Sequence, residues 1–118
     1  MNWTSAAAAL LALAVMIGAF GAHGLRGRLD EYSMSVYERA VFYHFVHALG
    51  LLIVSILPRQ TALGWVCWLL VAGIVLFSGS LYVLAITGVR AWGAVTPFGG
   101  ISFIAAWLVL AFALARGK

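Results

Sequence analysis

Charge is scarce in this sequence. Of 118 residues only 8% are Asp, Glu, Lys or Arg, seven basic against three acidic, while 65% are hydrophobic. A soluble domain of this size leaves much of its surface in water and cannot hide so much apolar area. Cysteine is nearly absent. The lone Cys67 excludes an intramolecular disulfide and a paired-thiol metal site, and reads as a small buried side chain. Acidic residues are missing from every long apolar stretch, which removes the usual marks of ion coupling in a transporter. The net charge of +4 does not point to nucleic acid, because the basic residues stand at the ends of apolar runs, where Arg and Lys anchor to a membrane interface.

What the chain has instead is apolar runs of spanning length. Residues 5–22, 40–57, 62–86 and 98–115 contain no charged side chain. A span needs roughly 17–25 apolar residues at 1.5 Å rise each. Continuous rather than alternating apolar character excludes a β-barrel. Ala19-Phe20-Gly21 has the small residues of a signal-peptidase site. No positive side chain precedes the first run, however, and the run is too long for an ordinary signal core, so a helix is expected there.

The expected fold is all-α, an integral membrane four-helix bundle forming one domain, with spans at about 5–22, 36–57, 62–86 and 97–115. A short amphipathic segment is expected between helices one and two, where Arg26, Arg28, Asp30 and Glu31 cluster. Asp30 and Ser35 both qualify as N-caps, and Ser35 with Glu38 fits a capping box. Pro58-Arg59-Gln60 is short enough to make helices two and three an antiparallel hairpin. Thr96-Pro97 reads as N-cap and first helical residue. Basic residues divide almost evenly between the two sides, and the Arg26/Arg28 pair directly after helix one favours both termini outside.

Small residues make candidate packing faces. Ala14, Gly18 and Ala22 recur every fourth residue in helix one, Ser78 and Gly79 stand in helix three, and Gly99-Gly100 open helix four. Such positions let helix backbones approach closely, which drives association in lipid. Trp3, Trp65 and Trp92 fall near the ends of spans and read as interfacial, whereas Trp68 and Trp107 lie deeper.

Helix two carries His44 and His47. At 100° per residue, Tyr43, His44 and His47 fall within an arc of about 100°, and unpaired polar groups in hydrocarbon cost several kcal/mol, so this face turns inward. Two readings follow. The histidines are neutral and hydrogen-bond between helices, or they hold a ligand such as a metal, haem or quinone, with His23, Tyr43, His47 and Ser80 as the candidate set. Two histidines alone make an incomplete metal site. Ser80 and Ser78 lack an acid to orient a neighbouring base, so they read as packing groups and no catalytic residue is assigned.

These residues also carry a family resemblance. Gly18-Ala19-Phe20-Gly21-Ala22-His23-Gly24-Leu25, Tyr43 with His47-Ala48-Leu49, Phe77-Ser78-Gly79-Ser80-Leu81-Tyr82, and Thr96-Pro97 with Gly99-Gly100 occur in that order. Together they resemble the uncharacterised membrane protein family 0382, also called domain-of-unknown-function family 423. It includes bacterial inner-membrane proteins and the eukaryotic transmembrane protein 256. The resemblance implies a four-helix membrane protein, in a bacterial plasma membrane, and supplies no reaction. The resemblance implies a pattern that usually has Gln where this chain has His44, and often Gly where it has Ala106, which makes His23 and His47 the better candidates for a shared role. The expected function is non-enzymatic: an accessory or packing partner in a membrane assembly or homo-oligomer, with the lipid bilayer as its surroundings. A ligand-binding protein and a small transporter or channel are the alternatives.

Overall fold

The computed structural model describes residues 2–58 and 61–116. Its elements are α1 (Trp3–Phe20), α2 (Glu31–Ser55), α3 (Thr61–Gly73), α4 (Gly79–Thr87) and α5 (Thr96–Arg116). A π-helical turn over Gly21–Leu25 prolongs α1, and another over Ile74–Ser78 joins α3 to α4 in one continuous rod. The described residues thus form four helical rods with no strand among them, an all-α architecture. The Arg59–Gln60 part of the expected hairpin turn and Lys118 lie outside the described residues.

Local chemistry fixes the rod ends. Asn2 Oδ1 accepts from the Ser5 amide at 3.0 Å and caps α1, and Asp30 Oδ1 accepts from the Ser33 amide at 2.7 Å and caps α2. No separate amphipathic helix stands between α1 and α2 among the described residues. The chain turns tightly over Gly27, at φ 90°, and α2 begins at Glu31. Ser35 is inside α2, its hydroxyl bonded to the Tyr32 carbonyl, so the capping box is not formed. At the far end of α4, Gly88 takes a left-handed conformation, φ 73°, and its N–H reaches the Leu84 carbonyl. Thr96 differs from its expected role as a cap. The 3₁₀ turn Arg90–Ala94 runs directly into α5, Val95 is already right-handed helical, and no extended cap residue remains.

Three helical stretches, Trp3–Leu25, Thr61–Thr87 and Arg90–Arg116, are long and apolar enough to cross a membrane. The fourth rod, α2, is also long, at 25 residues, but Glu38, Arg39, His44 and His47 reduce its mean hydropathy. Large apolar side chains are exposed along the outside, among them Phe42, Ile53, Trp65, Ile101 and Phe112. Exposed apolar surface on this scale suits a lipid solvent.

Packing is most extensive between α3 and α5, and next between α1 and α2. One apolar cluster gathers Leu51, Val66, Leu70, Phe103 and Ala106 towards the end that holds the N-terminus. A second gathers Val36, Tyr37, Ala40, Leu81 and Leu84 towards the other end. The face that α1 presents to α2 follows Ala7, Ala14 and Gly21, all buried, while Ala22 is exposed. Geometry explains the difference. Seven residues return to within about 20° of the starting direction, whereas steps of four drift about 40° each. Close approach is tightest at three glycines. A Cβ on Gly21 would collide with the Tyr37 ring, one on Gly73 with the Phe103 ring, and one on Gly99 with the backbone of Phe77. Gly100 makes only an ordinary contact, and a Cβ on Gly79 would meet nothing.

Candidate functional site

The buried polar groups gather around α2. His44, His47, Ser78 and Ser80 are all at least 95% buried. Ser78 Oγ donates to the Ala40 carbonyl at 2.8 Å, tying α2 to the π turn of the α3–α4 rod. One turn further along, His44 Nδ1 and Tyr82 Oη share a 2.8 Å hydrogen bond. The two helices run antiparallel, and side chains lean towards the N-terminus of their own helix, so these two tips converge from opposite directions. His44 Nε2 has no hydrogen-bond partner. Its one side-chain hydrogen bond among the described residues is to Tyr82, and the Leu10 backbone of α1 also faces the imidazole.

His47 is bound differently. Its Nδ1 lies 2.8 Å from the Tyr43 carbonyl, and since a carbonyl only accepts, the ring proton sits on Nδ1 and Nε2 is left an acceptor. The imidazole stacks on Phe103, ring centroids 3.5 Å apart and planes 11° from parallel. Tyr43 lies parallel to the imidazole at 5.9 Å and against Phe77 at 4.6 Å, and Trp107 closes the other side at 5.7 Å. Room for Trp107 depends on Gly50, where an added Cβ would come within 2.8 Å of the indole.

Further hydroxyls tie helices together. Tyr37 Oη donates to the Ile17 carbonyl at 2.6 Å, joining α2 to α1. Ser80 and Thr96 hydroxyls are 2.6 Å apart, joining α4 to α5. Ser102 Oγ donates to the Leu69 carbonyl at 2.7 Å, joining α5 to α3. In sequence, Tyr37 and Ser102 give no signal beyond being hydroxyls in or beside apolar runs, and Thr96 stands out only as a helix cap in the Thr96-Pro97 motif. Tyr82 stands in the serine motif of helix three, but its partner depends on the axial register of two helices.

The candidate ligand set is only partly assembled. Tyr43 and His47 are adjacent and stacked. Ser80 points to Thr96 and the Phe77 carbonyl. His23 is exposed in the π turn beyond α1. The Thr4–Ser55 and Ile17–Tyr37 contacts set the α1/α2 register, so His23 lies past the level of Tyr37. His47 lies ten residues, about 15 Å, further along α2. His23 and His47 therefore do not share a site. Among the described residues no three His, Cys, Asp or Glu side chains come together as metal ligands would. The most enclosed imidazole is His44.

At the end away from the N-terminus the groups are charged and exposed. Arg26 and Glu38 form a 2.6 Å ion pair, each side chain more than half exposed. Arg90 lies over the Tyr32 ring, 4.5 Å from its centroid. The Asp30 carboxyl is held below the usual carboxylate range, chiefly by the Ser33 backbone N–H it accepts, with Arg90 adding to the effect.

The family model described as Protein of unknown function (DUF423) matches residues 17–100, a stretch that includes both π turns and the polar set but for Thr4 and Ser102. A UPF0382 membrane protein of Staphylococcus haemolyticus is 52% identical over 100 residues, 83% of this chain and 82% of its own length. The UPF0382 membrane protein YwdK of Bacillus subtilis is 46% identical over 108 residues, 88% of each chain. No solved structure matches the chain.

Proposed function

The chain belongs to the DUF423 family of membrane proteins of unknown function, and from that premise we propose that it is a non-enzymatic four-span bundle, a packing or accessory component of a membrane assembly or homo-oligomer. One observation carries this reading. The interior hydroxyls and imidazoles serve as ties, Ser78 to Ala40, Tyr82 to His44, Tyr37 to Ile17, Ser80 to Thr96 and Ser102 to Leu69. Such bonds stabilise helix association in lipid by about 0.6–2 kcal/mol each. α2 is the fourth span, its imidazoles tolerated because they face protein rather than lipid. Both termini lie outside, with Arg26, Arg28 and Arg90 on the cytoplasmic side. Blue-native electrophoresis after mild solubilisation of native membranes tests the role: a species larger than the monomer is expected, and a strictly monomeric one would overturn it.

A second reading rests on Tyr43. Its ring is 37% exposed on the outer surface while stacking with His47, and His47 keeps Nε2 as an acceptor. A planar lipid-soluble ligand with a hydroxyl to donate, such as the reduced form of a quinone, suits that edge. Organic extracts and optical spectra of the purified protein check it. An absence of bound species, with His47→Ala unchanged in its properties, would remove this reading.

A further inference from the structure

We propose that the outer face of α2 is a self-association surface, on which a second copy of this chain docks in parallel, Glu38 of each copy paired with Arg39 of the other. This deepens the packing role proposed above and rests on it.

The spacing of the exposed residues defines the face. Ser35, Arg39, Phe42, Val46, Leu49 and Ile53 are all exposed, and they follow one another by alternating steps of four and three. That spacing is a heptad seam, which keeps one line of a helix turned to a partner along its length. Arg39, Val46 and Ile53 hold the a positions, and Ser35, Phe42 and Leu49 hold the d positions. Val46 and Ile53 at a, on either side of Leu49 at d, are the combination that favours a two-stranded parallel pair. In lipid such layers give close packing without a hydrophobic gain, so selectivity falls to the polar groups.

Those groups stand on the two edges of the seam. At about 100° per residue, Glu38 and Arg39 fall about 50° to either side of the line through Ser35 and Phe42. Two copies inserted the same way round in one membrane are related by a twofold axis along its normal, which sets each edge against the opposite edge of the other copy. Glu38 therefore meets Arg39 twice, at nearly the same height.

Arg39 lacks a partner of its own. It stands about 12 Å along α2 from Glu31, on a face that is apolar from Phe42 onwards, and it forms no ion pair among the described residues. An unpaired guanidinium beside hydrocarbon is costly. Glu38 uses Oε2 for Arg26, which leaves Oε1 to accept from a further cation. By contrast, α1 and residues 96–115 of α5 contain no Asp, Glu, Lys or Arg, so their outer faces suit lipid.

The test uses the full chain with Cys67→Ala and one new cysteine per variant, oxidised with copper phenanthroline in the membranes of the expressing cells. A disulfide needs Cα atoms within about 7 Å of each other. Dimer-sized products are expected for Phe42→Cys and Leu49→Cys, and none for Ile101→Cys or Phe112→Cys, which are exposed on α5. Charge reversals are then added to Leu49→Cys. Arg39→Glu sets acid against acid in both contacts and Glu38→Arg sets base against base, so either alone should reduce the dimer by at least about tenfold. Co-expressed under two tags, the reversed chains complement each other: their mixed dimer should return to the parent level while each homodimer stays low. The unreversed cysteine comparison decides the matter even where a reversed chain fails to accumulate. Leu49→Cys cross-links that are absent, that join a protein of another mass, or that ignore both reversals (as when a lipid phosphate holds Arg39) would overturn the proposal. A blue-native species larger than the monomer without α2 cross-links would overturn this interface alone, whereas a strictly monomeric species would overturn the packing role as well.

Discussion

Gly99 of α5 rests against the backbone of Phe77, so closely that a Cβ at position 99 would occupy the space of the Phe77 main chain. A flexible side chain can yield to an added methyl group, but a backbone held in a helix cannot. Gly99→Ala is therefore expected to destabilise the protein by about 1–3 kcal/mol. Gly79→Ala, which meets nothing, should be neutral or stabilising by up to about 1 kcal/mol because alanine favours helix. Equilibrium unfolding in mixed micelles separates the two. Equal stabilities would contradict the close contact.

Gly21 and Ala22 offer a matched pair on α1. Gly21→Ala drives a methyl group into the Tyr37 ring and displaces the hydroxyl that donates to Ile17, for a cost of about 1–3 kcal/mol. Ala22→Val adds more bulk at an exposed position and should change stability by no more than about 0.5 kcal/mol. The reverse order would mean that α1 packs along its four-residue stripe after all.

The His44–Tyr82 pair predicts an asymmetric result. Tyr82→Phe leaves His44 Nδ1 buried without a partner, at a cost of about 1 kcal/mol or somewhat more. His44→Gln substitutes an amide that can bond to the same phenol and exchanges one unpartnered polar group for another, so it should be close to neutral. Thermal unfolding of the two variants in one detergent reads the difference. A His44→Gln variant as unstable as Tyr82→Phe would show that the imidazole contributes more than this bond.

Asp30 gives a pH dependence with a definite sign. Its carboxyl titrates below the ordinary value in the folded protein, because the charged form accepts the Ser33 amide. The stabilisation from the cap is therefore fully present above the unfolded carboxyl value of about 3.9 and lost as pH falls through the lower folded one. Asp30→Asn keeps a capping oxygen that does not titrate. Melting temperatures measured from pH 6 to pH 2 (roughly the window set by that shift) should fall more for the parent than for Asp30→Asn, and parallel curves would exclude the effect.

The apolar runs make the all-α class legible, because a rod without charge over twenty residues has few other forms in lipid. Each uncharged run is contained in one rod, apart from two residues after Ser55. Less of the site can be read. The small residues of α1 show that a packing face exists, but distinguishing Gly21 from Ala22 requires knowing which direction the partner helix lies. Neither π turn leaves a mark in hydropathy, since inserting one apolar residue among many changes no pattern. The Ser80–Thr96 and His44–Tyr82 bonds join residues 16 and 38 apart, and depend on axial register that no local signal encodes. His23 and His47 share a motif set but not a level in the fold.

The π turn over Ile74–Ser78 takes up one residue more than an α turn would, and so sets the rotational phase of everything beyond it. Forcing ordinary α geometry on the same residues would swing the rest of the rod by about 100° around its axis. Ser78 could keep its tie to Ala40 only if Tyr82 and Ser80 were carried away from His44 and Thr96, or the reverse. The extra residue within those five is therefore what lets the two halves of the rod hold their separate partners at once. A one-residue deletion at that point, which lets the turn become α-helical with both halves still in phase, should be less harmful than the same deletion within α3 or α4.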